Sequence, residues 1–319
     1  MFLNIILLTI GLFLLIKGAD WLVNGASTIA RKKKVSDLAI GLTIVAFGTS
    51  APELVVNLSA SIENHQDIVF GNIIGSNNFN LFFILGVAGV ITPLAVQSST
   101  LFKEIPISLI AGIMVLILAN SFIFQEKILS RVDGIILLIL FLIFLAYVYT
   151  QLKGEPVIEN IKELNLPVWK IWGLIIIGLL ALIAGGRLVV DSAVFMASTM
   201  GVSEKLIGLT IIAAGTSLPE LATSVVAAFK KNSDIAIGNV IGSNIFNIFF
   251  ILGISATVRP IAYDIAFNRD IYLLLGGTTL LFLLLYSGKK KLVRPAAALL
   301  VITFIVYTLY LVSQETYIK

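Results

Sequence analysis

The sequence predicts an all-α integral membrane protein. Ten transmembrane helices are expected as two inverted five-helix repeats, with helices 2, 3, 7 and 8 broken. Three observations predict it. Of 319 residues, 58% are hydrophobic and 13% charged, where a soluble domain carries about 25% charged residues. Apolar runs near the roughly 20 residues of a spanning helix recur along the chain, and they are continuous rather than alternating, which disfavours a membrane β-barrel. Finally, one half of the chain repeats the other.

The repeat is direct. Gly41–Leu94 and Gly208–Ile261 align at a constant offset of 167 without a gap, and 28 of 54 positions are identical. The identities include Gly, Thr, Ser, Pro, Glu, Asn and Asp, so shared apolar composition does not explain them. The offset extends weakly back to Gly11 and Gly178. Five spans per half are expected. In residues 1–151 they lie near Phe2–Ala30, Asp37–Ile62, Ile68–Val90, Phe102–Phe122 and Val132–Gln151. In residues 168–319 they lie near Val168–Met200, Glu204–Phe229, Ile235–Val258, Asp270–Ser287 and Leu292–Val312. The polar segment 152–167 is a cytoplasmic linker. An odd number of crossings delivers the second copy from the opposite side, so the halves are expected to be inverted about an axis in the membrane plane.

Charge agrees with one orientation. Met1–Ile16 has no basic residue ahead of it, unlike a secretory signal, and reads as a retained first helix with its N-terminus outside. The inner loops then hold 14 Lys and Arg and the outer loops and ends 6, with Lys17 and Arg187 inside helices; basic residues favour the cytoplasm. The loop 63–67 has no basic residue, and its counterpart 230–234 has two, as expected of loops on opposite faces.

Function classes fall away on composition. There is no Cys, which excludes disulfides, thiolate metal sites and Cys nucleophiles. A single His excludes poly-His metal sites and most acid–base triads. The net charge of +4 is spread between apolar runs and is no nucleic-acid footprint. A serine hydrolase would need a base beside its nucleophile; His65 lies in a loop and no Lys lies in a motif. No enzyme activity, cofactor or nucleic-acid partner is expected, and membrane lipid is.

Two motifs per half carry the chemistry. Gly48-Thr49-Ser50-Ala51-Pro52-Glu53 matches Gly215-Thr216-Ser217-Leu218-Pro219-Glu220. Proline removes a donor and clashes with the carbonyl four residues back. Carbonyls near Ala46, Phe47 and Gly48, and near Ala213, Ala214 and Gly215, should therefore be freed, about halfway along each apolar segment. Glu53 and Glu220 become intramembrane carboxylates, each costing roughly 2.5 kcal/mol or more unless neutralised. The second motif runs from Gly71 to Asn80 and matches Gly238 to Asn247. Ser76 and Asn80 share one helix face, as do Ser243 and Asn247, and Asn72 and Asn239 extend it by a turn. The parts are all oxygen, which suits hard cations rather than Zn²⁺ or Cu⁺.

These motifs resemble the α-repeats of the Ca²⁺/cation antiporter superfamily, most nearly its prokaryotic sodium/calcium exchangers, over essentially the whole chain. The resemblance implies exchange of about three Na⁺ for one Ca²⁺ by alternating access, in a prokaryotic cell membrane, by a chain functional as a monomer. It implies that the long first helix of each half slides against an eight-helix core. Carried over by position, Glu53 and Glu220 are the central Ca²⁺ ligands. Thr49, Thr216, Ser50, Ser217, Ser76 and Ser243 add oxygens, with the carbonyls of Ala46 and Ala213, and Asn80 and Asn247 complete the centre. Many relatives carry Asp where Asn247 stands, so this centre holds two formal negative charges instead of three. An H⁺/Ca²⁺ antiporter and a cation channel are the alternatives.

Plainer roles are expected elsewhere. Gly75 and Gly242 read as close-packing positions, Asn77 and Asn244 as structural or ligating in equal measure, and Asn72 and Asn239 mainly as structural. His65 reads as a solvated loop residue and Arg31–Lys34 as a cytoplasmic anchor. Lys17 with Asp20, and Arg187 with Asp191, stand at intrahelical pairing distance, with a gating role as the alternative.

Overall fold

A computed structural model describes residues 2–120, 127–151, 166–200 and 213–317. The described residues are almost all helical, with four two-residue strands between helices. In order the elements are α1 (Phe2–Lys33), α2 (Asp37–Thr49), α3 (Ala51–Glu63), α4 (Gln66–Ile91), β1 (Leu94–Ala95), α5 (Thr100–Asn120), β2 (Ile128–Leu129) and α6 (Arg131–Gln151). The second half continues with α7 (Val168–Thr199), the short helical stretch Ala213–Gly215, α8 (Leu218–Phe229), α9 (Ser233–Val258), β3 (Ile261–Ala262), α10 (Phe267–Ser287), β4 (Lys291–Leu292) and α11 (Arg294–Tyr317). Among the described residues eight helices are long and apolar enough to span a membrane, or nine if the bent pair α2–α3 counts as one span. The expected seventh span falls partly outside them, since 201–212 is not described; α8 is its second part.

The lateral surface confirms an apolar solvent. Phe13, Leu142, Leu180, Val306 and Leu309 are exposed, and outward faces so rich in large apolar groups would aggregate in water. At the centre stand α4 and α9, with 94% of the most apolar window of α9 buried against 11% for α11. Both carry their motif, so the polar residues of the sequence lie in the middle of the molecule.

Local chemistry explains the joints. Ser36 caps α2, its Oγ accepting from the Ala39 amide at 3.1 Å, and Asn232 caps α9, its Oδ1 accepting from Ile235 at 3.0 Å. The bend between α2 and α3 is 48° and sits at Ser50 (φ −82°, ψ 9°). Pro52, in the first turn of α3, has no N–H for the Gly48 carbonyl, so the break expected there is present. The breaks expected in helices 3 and 8 are not: α4 and α9 each run through as one span. Their motifs contain glycine but no proline, and glycine weakens a helix without removing a donor. In place of a break each widens into π-helical turns, Phe79–Ile84 and Phe246–Leu252, which begin three residues after Ser76 and Ser243 and contain Asn80 and Asn247. Such turns recur at functional sites.

The halves touch reciprocally. α1 and α7 pack antiparallel along their length. A Cβ on Gly11 would lie 2.8 Å from the Gly185 carbonyl, and one on Gly178 would lie 2.8 Å from that of Gly18. The offset of 167 turns the first contact into the second. Two antiparallel bridges also join the halves: β1 pairs with β4 through Leu94↔Leu292, and β2 pairs with β3 through Leu129↔Ile261. Gly242 is a close-packing position as expected, with room for a Cβ only 2.8 Å from that of Ala46. The neighbours equivalent for Gly75 lie outside the described side chains.

Candidate cation site

The two proline motifs meet where α2–α3 and α8 abut α9 and α4. Thr49, Ser50, Glu53, Ser76, Asn80, Ser217, Glu220, Ser243 and Asn247 are all buried, and Thr216 is partly buried. Each glutamate is held by the serine of the opposite half. Ser217 Oγ donates to Glu53 Oε1 at 3.0 Å and Ser50 Oγ to Glu220 Oε1 at 2.8 Å. Ser243 Oγ adds a longer contact to Glu220 Oε1 at 3.4 Å. Serine donates its single proton to the carboxylate, which leaves its lone pairs pointing elsewhere.

The threonines are set in the same crossed manner. Thr49 Oγ1 lies 3.0 Å from Asn239 Oδ1, and Thr216 Oγ1 lies 3.2 Å from Asn72 Oδ1. Asn239 spends its amide on the Glu220 carbonyl at 3.2 Å and Ser224 Oγ at 2.9 Å. Asn72 and Asn239 are thus brought to the site as holders of the threonines, their oxygens already accepting a hydroxyl.

Asn77 and Asn244 form a clamp at the crossing of α4 and α9. Asn77 Nδ2 donates to the Asn244 carbonyl and Asn244 Nδ2 to the Asn77 carbonyl, both at 3.2 Å. Their side-chain oxygens then accept the neighbouring amides, Asn80 Nδ2 to Asn244 Oδ1 at 3.1 Å and Asn247 Nδ2 to Asn77 Oδ1 at 3.0 Å. Asn80 and Asn247 are held by their nitrogens, and among the described residues their Oδ1 atoms accept no hydrogen bond. Neither do Glu53 Oε2, Glu220 Oε2 and Ser76 Oγ. A buried acceptor without a donor is costly, and here four of them come as two repeat-equivalent pairs, Glu53 with Glu220 on α3 and α8 and Asn80 with Asn247 on α4 and α9.

The carbonyls are less open than the sequence suggests. The Ala46 carbonyl accepts the Ser50 amide at 3.0 Å and lies 3.3 Å from Thr49 Oγ1, because one more helical bond forms before the bend. Ala213 opens the short helical stretch before Ser217 at the margin of the described residues. Two residue sets were not legible as roles. The clamp of Asn77 and Asn244 lies off the Ser–Asn face, and its cue was that both residues repeat at the offset. Asp20 pairs not with Lys17 but with Lys230, at 2.6 Å: α1 packs on α8, and a partner from another helix outcompetes the intrahelical one. Arg187 and Asp191 do pair within α7, at 3.8 Å.

Among the described residues no group of three or more His, Cys, Asp and Glu side chains gathers to hold a metal ion. The candidate site is two carboxylates inside a shell of hydroxyl and amide oxygens. Such a set offers hard cations up to the 6–8 oxygens that Ca²⁺ takes at about 2.3–2.6 Å.

Residues 3–150 and 170–313 match the sequence model of a family described as sodium/calcium exchanger protein. The sodium/calcium exchanger MaX1 of Methanosarcina acetivorans is 39% identical over 294 residues, covering 81% of this chain and 84% of the relative. The inner membrane protein YrbG of Escherichia coli is 37% identical over 276 residues, covering 84% of each. The solved structure of the sodium-calcium exchanger NCX_Mj soaked with 10 mM Na⁺ and zero Ca²⁺ superposes with a TM-score of 0.83 at 34% identity, over 96% of this chain and 97% of that one.

Proposed function

Because this chain belongs to the sodium/calcium exchanger protein family, we propose that it is an antiporter exchanging Na⁺ for Ca²⁺, about three to one, by alternating access. The observation that carries the site is two repeat-equivalent pairs of buried oxygens that find no donor among the described residues: Glu53 Oε2 with Glu220 Oε2, and Asn80 Oδ1 with Asn247 Oδ1. Ca²⁺ is the cargo that satisfies them. Its two charges are balanced by Glu53 and Glu220, and Thr49, Thr216, Ser50, Ser217, Ser76 and Ser243 complete the oxygen shell for Ca²⁺ or Na⁺. Ala46 and Ala213 contribute through backbone carbonyls, Ala46 only after yielding a helical hydrogen bond.

The antiparallel contact of α1 with α7 and the reciprocal Ser–Glu and Thr–Asn bonds support two inverted repeats, residues 1–151 and 168–319, joined by a cytoplasmic linker over 152–167. A two-fold axis across the helices gives contacts of this exchanged kind. The ten-span organisation follows, with the N-terminus outside and the basic loops in the cytoplasm of a prokaryotic cell. The chain works as a monomer, since both halves of the site lie within it.

The test is Ca²⁺ uptake into proteoliposomes under separate Na⁺, K⁺ and pH gradients. Uptake driven by an outward Na⁺ gradient alone is expected. Uptake that follows the pH gradient and ignores Na⁺ would establish proton coupling instead, and Ca²⁺ conductance without any counter-ion would establish a channel.

A further inference from the structure

One loop binds the long first helix, and its repeat counterpart does not. Lys230, just past α8, lies 2.6 Å from Asp20 Oδ1 on α1 and donates to Asn24 Oδ1 at 2.7 Å. Two residues on, Asn232 Nδ2 donates to Ser27 Oγ at 3.1 Å. Lys230 and Asp20 are 22% and 39% exposed, so the pair escapes much of the screening that weakens surface pairs.

The offset of 167 carries Lys230 onto Glu63 and Asp20 onto Arg187. The related pair is also complementary, with the signs exchanged, but it is apart. Among the described residues Arg187, 84% exposed, finds its ionic partner in Asp191 on its own helix. Glu63 is exposed and stands 3.7 Å from His65. The helices follow the same asymmetry: α1 packs along α8, while among the described residues α7 and α3 make no corresponding packed contact.

We infer that Asp20–Lys230 and Arg187–Glu63 are the two ends of a reciprocal ionic latch that sets which face of the central site is closed. The inference rests on the alternating-access reading. With two like halves, exchanging their conformations gives the opposite-facing state, and the image of the Asp20–Lys230 contact is an Arg187–Glu63 contact. Moving the α1–α7 pair breaks one and makes the other. A contact present in one state alone biases the equilibrium toward that state; a matched contact at each end keeps both states populated. In the second state Arg187 sits between Glu63 and Asp191, and a guanidinium can bridge two carboxylates.

The chain has no Cys, so introduced cysteines report cleanly. The Glu63→Cys/Arg187→Cys variant is expected to form a disulfide that arrests Ca²⁺ flux, with flux returning on reduction. Adding Asp20→Lys or Lys230→Glu to that variant sets like charges together at the closed face. Each should raise the disulfide yield about five-fold, and the two together should return it to the starting level. A yield indifferent to these substitutions, or no disulfide in a variant that exchanges Ca²⁺ when reduced, overturns the latch. A yield that responds as expected in protein that moves no Ca²⁺ supports the latch and strikes the antiport reading alone.

Discussion

At the level of single residues, the site is built by assigning each proton so that oxygen lone pairs remain. Serines give theirs to carboxylates, threonines to Asn72 and Asn239, and the amides of Asn80 and Asn247 to the Asn77–Asn244 clamp. The glutamates supply the charge. Glu53→Gln and Glu220→Gln should each weaken Ca²⁺ binding by about 100-fold, the ~3 kcal/mol typical of deleting one partner of a buried charge pair, and bring Ca²⁺ flux to background. Near-normal flux in either variant would refute the site. Asn247→Asp introduces a third carboxylate. It should change apparent Na⁺ and Ca²⁺ affinities and make flux more sensitive to acid, because a ligating carboxylate must be deprotonated; flux titrations between pH 6 and 8, roughly one unit either side of neutrality, read this directly.

At the level of elements, the α1–α7 pair is the most demanding contact. Its glycines bring backbones together with no room for a Cβ, the arrangement that lets helices associate where lipid offers no hydrophobic drive. Gly178→Ala should push the pair apart and lower stability by about 1–3 kcal/mol, as overpacking does; thermal melting in detergent measures it. What the sequence told of the elements followed its punctuation. Pro52 marked the bend between α2 and α3, and the repeated Glu, Ser and Asn residues marked the buried centre. The widening of α4 and α9 was not legible, because a π-helical turn needs no breaking residue to mark it. Nor was the partner of Asp20, since nothing in a linear pattern places a loop 210 residues away against it.

For the molecule as a whole, charge bookkeeping sets the energetics. Two carboxylates neutralise one Ca²⁺, whereas three Na⁺ leave one positive charge in transit. Exchange at three to one is then electrogenic, and each net charge moved across 100 mV is worth about 2.3 kcal/mol. Clamping proteoliposomes at inside-negative and inside-positive potentials with a K⁺ ionophore should therefore change the Ca²⁺ uptake rate, in opposite senses for the two signs. Identical rates would point to an electroneutral stoichiometry. The orientation expected from the sequence belongs to this scale too, since the asymmetry of Lys and Arg behind it is spread over the entire chain.

The small bridges β1–β4 and β2–β3 bear on where the energy of ion binding goes. Each stitches a connector of one half to a connector of the other, and neither includes α1 or α7. The remaining helices are thus laced into a closed frame at two corners, which resists splaying when charge gathers at its middle. Strain arising there is expected to be relieved at the unlaced pair, whose two helices are held to each other by their own glycine contacts.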